Sequence, residues 1–455
     1  MRIKKFEIDT KFYKKTLLIV LPIVIQNLLS AAVGSADVIM LNYVGQSSIS
    51  AASLATQYAS IIFTIYFGIG TGVTMLSAQY FGKGDIQTIE KVEGIALRFA
   101  LGAALIFTTG SLFIPDIMMK VYTNDTELIG LGASYLRVVA ISFLCWAIGE
   151  VYLATLRSIG RVTISTIISS ATLITNVLLN GVFIFGIFGA PKLGIIGVAL
   201  ATTISRVLEL ILCIIVSIYS ENVKIRLKYV FQKQGILFKD FIQMSLPALL
   251  NDVSWGLAFS MYSVIMGHMG SDVVAANSIV SVVRNFGSVF CFGIASASNI
   301  VLGQMLGENR LTDARNGGRR FIILTVIAGA IGGLLVFFSI PFVVANVSLS
   351  GTALKYLKFM LYINTYYIVG AAVNTTLIAG IFRAGGDSRF GFVCDTIDMW
   401  LYAVPLGLLS AFVLKLPVEV VYFLLLTDEF VKWPWVFKHY ASYKWVRNIT
   451  REEIK

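Results

Sequence analysis

Apolar residues run along this chain in long blocks, and polar breaks separate the blocks at fairly regular intervals, as in Leu17 to Val33, Phe99 to Ile114, Ile204 to Ile218 and Phe321 to Val344. Blocks of this kind approach or reach the ~20 residues that carry an α-helix across a bilayer. Splitting them at polar or Gly/Pro-containing breaks predicts spans at 16–42, 51–80, 91–113, 128–155, 162–187, 194–219, 240–267, 274–304, 318–345, 354–381, 389–413 and 417–437. No soluble domain of useful size fits between them. The expected fold is an all-α integral membrane protein of twelve transmembrane helices.

Charge orients the spans. One set of alternate loops holds the N-terminus, Lys83 and Lys91, Arg157 and Arg161, Lys224 to Lys239, Arg310 to Arg320, Arg383 and Arg389, and the basic C-terminus. The other set holds little beyond Lys120, Lys192 and Lys415. Basic loops stay on the cytoplasmic side, so both termini are expected in the cytoplasm of a multi-pass plasma-membrane protein. An even number of crossings follows, in agreement with the span count. The first basic residues, Arg2 to Lys15, precede a long apolar run without a small-residue cleavage site, which reads as a retained helix.

Only 13% of the 455 residues are charged and 57% are hydrophobic, against roughly 25% charged in soluble chains. The net charge of +11 therefore points to the membrane surface and away from nucleic acid. Cys145, Cys213, Cys291 and Cys394 each sit inside an apolar block and read as small core hydrophobes.

The chain matches itself at an offset of 225. Pro22 falls on Pro247, Gly45 on Gly270, Ala51 on Ala276, Phe67-Gly68-Ile69 on Phe292-Gly293-Ile294, Gln79 on Gln304 and Gly82 on Gly307; at 226, Arg157 falls on Arg383 and Gly160 on Gly386. Six crossings separate the copies, so both enter the membrane in the same direction. That is a parallel repeat about an axis along the membrane normal, enclosing a central cleft, an arrangement common in secondary transporters. The expected organisation is a six-helix lobe at 1–219, a cytoplasmic loop at 220–238, and a second lobe at 239–455 with a basic tail.

Ionisable groups inside a membrane cost at least ~2.5–3.5 kcal/mol and mark function. Asp37 lies about five residues from the outer end of the first span. Asn176 and Asn180 share one face of the fifth, and Thr202 enters from the outer end of the sixth. At 1.5 Å per residue these groups reach a similar depth, roughly 7–12 Å from the outer surface, and a carboxylate, two amides and a hydroxyl suit a proton or a hard cation such as Na⁺. Arg137 is the one nearby base that could pair with Asp37 instead. Asp252, Asp395 and Asp398 are secondary polar sites, while Glu150 and the Arg206/Glu209 pair read as structural ion pairs. His268 reads as surface. No Walker-type loop, zinc spacing or catalytic constellation is present, so neither enzymatic activity nor a cofactor is expected and transport energy must come from an ion gradient.

Pro22 through Asp37 with Gly45 and Ala51-Ala52 resembles the first helices of the multidrug and toxic compound extrusion (MATE) family. So do Ala78-Gln79-Tyr80-Phe81-Gly82, Leu156 to Gly160, Thr175 to Asn180, Leu193-Gly194 through Ser205, Phe382 to Asp387 and Trp400 to Pro405. The resemblance covers essentially the whole chain. It implies a monomeric exporter that exchanges H⁺ or Na⁺ for amphipathic, often cationic, small molecules, with an N-lobe cation site carried over to Asp37, Asn176, Asn180 and Thr202. Some relatives have Asp where this chain has Asn180, and the branch with acids in helices 7 and 10 has no clear counterpart: Asp252 is off the expected turn and Asn374 stands in helix 10. The competing expectation is a flippase for lipid-linked glycan precursors, which should show a strongly cationic cleft and helices beyond twelve.

Overall fold

The computed structural model describes residues 10–41, 43–347 and 349–452; in the first helix the side chains of residues 35 and 37–39 also lie outside the described residues. The described elements are all helical. In the first half they are α1 (Thr10–Leu41), α2 (Gln46–Lys83), α3 (Ile86–Phe113), short α4 (Pro115–Lys120), α5 (Thr126–Ser158), α6 (Val162–Phe185), α7 (Ile195–Tyr219) and short α8 (Leu227–Phe231). The second half has α9 (Gly235–Gly267), α10 (Ser271–Gly307), α11 (Leu311–Asn346) and α12 (Gly351–Thr375), the last continuing as a π-helical segment at Thr376–Phe382. Then come α13 (Ser388–Ile397), a π-helical segment at Asp398–Ala403, α14 (Val404–Leu408), another π segment at Leu409–Val413, and α15 (Val418–Leu425), α16 (Asp428–Val431) and α17 (Trp433–Ala441).

Among the described residues ten helices are long and apolar enough to cross a membrane. The two expected spans missing from that set have physical reasons. The seventh forms the 33-residue α9, but Lys239, Asp240, Asn251 and Asp252 dilute its apolar content. The twelfth is broken into α15, α16 and α17. Together they complete twelve crossings. Turn chemistry sets several helix starts: Asp85 accepts from Thr88 N (3.0 Å), Asp125 from Glu127 N (2.9 Å) and Ser350 from Ala353 N (3.1 Å), each satisfying a first-turn donor. All four cysteines are buried and free.

The repeat explains its own glycines. Gly45 and Gly270 precede α2 and α10 with φ of 117° and 133°, a region open essentially to glycine alone. Contacts between the halves are reciprocal. A β-carbon at Gly68 would fall 2.5 Å from Leu249 Cδ1, and one at Gly293 would fall 2.7 Å from Val24 Cγ2. Likewise Gly82 packs on the Gln304 backbone and Gly307 on the Gln79 backbone. Gln79 Nε2 donates to Ala384 O (2.7 Å) and Gln304 Nε2 to Ser158 O (2.9 Å). In each pair both partners shift together by the repeat offset, which is the exchange of roles a two-fold axis requires.

α1 packs on α10, α9 on α2, and α2 on α10. The close α2/α10 crossing at Gly82 and Gly307 lies at the face that carries the C-terminal tail. Farther from that face, Phe63 and Phe67 of α2, Trp255 of α9 and Phe286 of α10 remain between 37% and 49% exposed.

The C-terminal tail straps this face. Trp445 is fully buried against Gly318 and Gly385, and Arg447 donates to Gly385 O (2.7 Å) and Gly386 O (2.6 Å). Beyond it, Ile449 N reaches Gln79 Oε1 (2.8 Å). Arg451 grips Asp240 with two hydrogen bonds (2.6 and 2.7 Å), which hold its guanidinium even more firmly in the charged form. In the 220–238 loop, Arg98 holds α8 through Val230 O (2.7 Å) and Glu90 pairs with Arg226.

Candidate ion-coupling site

The two asparagines sit one turn apart on α6, and α7 runs beside them. Asn180 Nδ2 donates to Asn176 Oδ1 (3.3 Å), Asn176 Nδ2 donates to Thr202 Oγ1 (3.3 Å), and Thr202 Oγ1 donates to Val198 O (3.0 Å). Three of the four expected residues therefore form one hydrogen-bonded chain joining two helices. Asn180 is 1% exposed. Counted from the nearest helix ends at 1.5 Å per residue, Asn180 and Thr202 lie about 7–11 Å deep.

Asp37 belongs to the backbone of α1, four residues before its end at Leu41, but its side chain lies outside the described residues. α1 packs against α6. Its far end is pinned there by Tyr43, whose ring meets Phe185 at 5.3 Å, and by Val44, which abuts Gly194. Arg137, considered above as the alternative partner of Asp37, pairs with Asp116 at 3.2 Å. The structural ion pairs form: Arg157 with Glu150 (2.7 Å) and Arg206 with Glu209 (2.9 Å). His268 is exposed.

Asp252 is paired with Arg383 at 2.7 Å, the arginine side chain being 4% exposed. Asp395 and Asp398 approach the buried Lys432 at 3.1 and 3.6 Å. Lys432 also meets Glu429 at 3.2 Å, and Tyr262 donates to the neighbouring Asp428 at 2.9 Å. Asp428, Glu429 and Lys432 were missed from the sequence, although their i, i+3 and i+4 spacing inside the twelfth apolar block marks one helical face.

The MatE family model matches residues 22–182 and again residues 247–409, so each copy of the repeat is matched in turn. The chain belongs to the MatE family. Similar MatE relatives include "Uncharacterized transporter YisQ" of Bacillus subtilis, 23% identical over 94% of this chain and 93% of the relative. The "Probable multidrug resistance protein NorM" of Listeria monocytogenes is 23% identical over 87% of each chain. Among solved structures, one titled as the outward-facing conformation of a multidrug resistance MATE family transporter aligns with a TM-score of 0.86, covering 97% of this chain and 100% of that one at 19% identity. A MATE structure in the bent conformation aligns at 0.83 with 18% identity, covering 95% and 96%. These alignments bear out the twelve-helix MATE fold.

Proposed function

We propose that this chain is a secondary active exporter that expels amphipathic, cationic small molecules in exchange for protons or sodium ions, with Asp37, Asn176, Asn180 and Thr202 as the coupling site. The observation that carries this reading is the Asn180–Asn176–Thr202 chain, a neutral oxygen-bearing lining next to the helix that supplies one carboxylate. Such a set holds one positive charge at a time, which suits exchange better than permanent metal binding. The names of the NorM relatives support drug export, and the exposed aromatic side chains beyond the crossing suit flat, cationic substrates. The excess of Lys and Arg in alternate loops supports cytoplasmic termini in a plasma-membrane protein. The crossing at Gly82 and Gly307 then closes the cytoplasmic side, as an outward-facing state requires.

The test is dye efflux in inverted vesicles under separately imposed proton and sodium gradients. Asp37→Asn keeps the shape and removes the charge, and should abolish gradient-driven efflux while leaving expression intact. Asn180→Ala and Thr202→Ala should weaken coupling less. Wild-type efflux by the Asp37→Asn protein would remove the first-half site from the mechanism.

A further inference from the structure

The second half contains a charge cluster that this coupling reading does not use. Lys432 Nζ lies 3.1 Å from Asp395 Oδ1, 3.2 Å from Glu429 Oε2 and 3.6 Å from Asp398 Oδ2, and all four side chains are 2% to 7% exposed. Asp428 is fully buried beside them. Four carboxyl groups thus face one ammonium inside a membrane-spanning bundle. Leaving all four ionised would strand uncompensated charge at a cost of several kcal/mol per ion, so the cluster must hold protons.

Two independent features mark the cluster as more than a structural ion pair. First, it contains polar atoms without partners: Tyr367 is 2% exposed, its hydroxyl has no hydrogen bond, and it lies within electrostatic reach of Asp428 and Glu429. Asn374 donates to Glu429 Oε2 (2.5 Å) while its own Oδ1 is unbonded. Second, the backbone is irregular around it. The helix breaks between α15 and α16 and again at Lys432, and a π-helical segment starts at Asp398; such interruptions accompany functional sites in transporters.

A small cavity of about 20 Å³ lies between α9, α10 and α15 and is lined by Tyr262, Asn277, Arg284 and Tyr422 among others. Its polar lining and size suit one water molecule. Tyr262 is a wall of this cavity and also the donor to Asp428 Oδ2. The remaining titratable neighbours are Cys394 on α13 and Arg284, whose guanidinium lies 5.1 Å from the Phe259 ring.

We propose that Asp395, Asp398, Asp428, Glu429 and Lys432 form a proton-exchange site in the second half, reached from this cavity through the Tyr262 hydroxyl. As a proton passes from cavity water to the Tyr262 oxygen, the hydroxyl proton moves to Asp428 Oδ2, and the reverse sequence releases it. The exchanged species is the proton because the Lys432 ammonium already occupies the place a metal cation would take. Among the described residues no group of His, Cys, Asp and Glu side chains is arranged to hold a metal ion.

The proposal is separable from the role of Asp37 by infrared difference spectroscopy of the full chain in lipid, cycled between acidic and alkaline buffer without substrate. Acidification should raise a protonated-carboxyl band. Asp428→Asn/Glu429→Gln should lose a component of that band which Asp37→Asn retains, and Tyr262→Phe should slow its appearance. If the double variant fails to insert, Asp398→Asn serves in its place and should also lose a component. An unchanged band in every cluster variant that inserts would overturn the proposal, as would a sodium-for-potassium response at fixed pH that persists in Asp37→Asn and is lost in the cluster variants.

Discussion

Gly307→Ala tests whether the α2/α10 crossing sets the conformational balance. A β-carbon at Gly307 would lie 2.6 Å from Gln79 C and 2.8 Å from Gln79 Cα, whereas carbon atoms pack best at about 3.5–4.0 Å. Both contacts are backbone, so no side chain can swing aside, and the helices must separate by roughly 1 Å. Overpacking of this kind costs about 1–3 kcal/mol. The cost exists only in the state where this face is closed, and a term confined to one state shifts the equilibrium by its full value, here about 5- to 150-fold. Spin labels on Gln87→Cys and Thr312→Cys, exposed positions related by the repeat, would report the change by pulsed electron–electron distance measurement. A longer-distance population should grow in Gly307→Ala, while Gly256→Ala, with nothing within 4 Å of its new methyl, should leave the distribution alone. An unaltered distribution in Gly307→Ala would refute the assignment of this crossing as the gate.

Arg383→Met strands Asp252 in α9, and breaking a buried ion pair costs about 3–5 kcal/mol. With Asp252 21% exposed the lower end is expected, read as a reduced melting temperature in detergent that Asp252→Asn/Arg383→Met partly restores; no drop in the single variant would contradict the pairing. Arg451→Ala removes the link to Asp240, so limited trypsin digestion should cleave the tail at Lys444 or Arg447 faster than in wild type. Equal cleavage rates would show that the tail is held without that link.

Much of this architecture is legible in the sequence because the repeat is written in residues with narrow physical tolerances. Gly45 and Gly270 match since both need a backbone that other residues resist, and Gln79 and Gln304 match since each donates to a carbonyl of the opposite half. The Asn180–Asn176–Thr202 chain was readable from helical spacing and depth alone. Choice of partner was not. Arg137 joins Asp116, a matter of tertiary neighbours that spacing along the chain does not encode. The start of α2 was set five residues late because Gln46, Ser47 and Ser48 are polar, whereas the turn at Gly45 begins the helix. Asp428, Glu429 and Lys432 were hidden inside an apolar block whose average hydrophobicity masks one polar face.

The tail that crosses the closed face is asymmetric in what holds it. On the second half its anchor is a buried indole, which stays seated only by keeping water out. On the first half its hydrogen bonds run from Ile449 N to Gln79 Oε1, from Arg451 N to the Tyr80 hydroxyl and from Lys83 to Arg451 O, and water can replace such bonds at a net cost of only about 1 kcal/mol each. The tail should therefore ride with the second half as the two bundles rock, leaving and regaining the first half at each turnover. It works as a detent, defining the register at which the bundles come to rest without locking them there. Cargo fused beyond residue 455 would load that detent directly, so the length and charge of a C-terminal tag become variables in any turnover measurement on this protein.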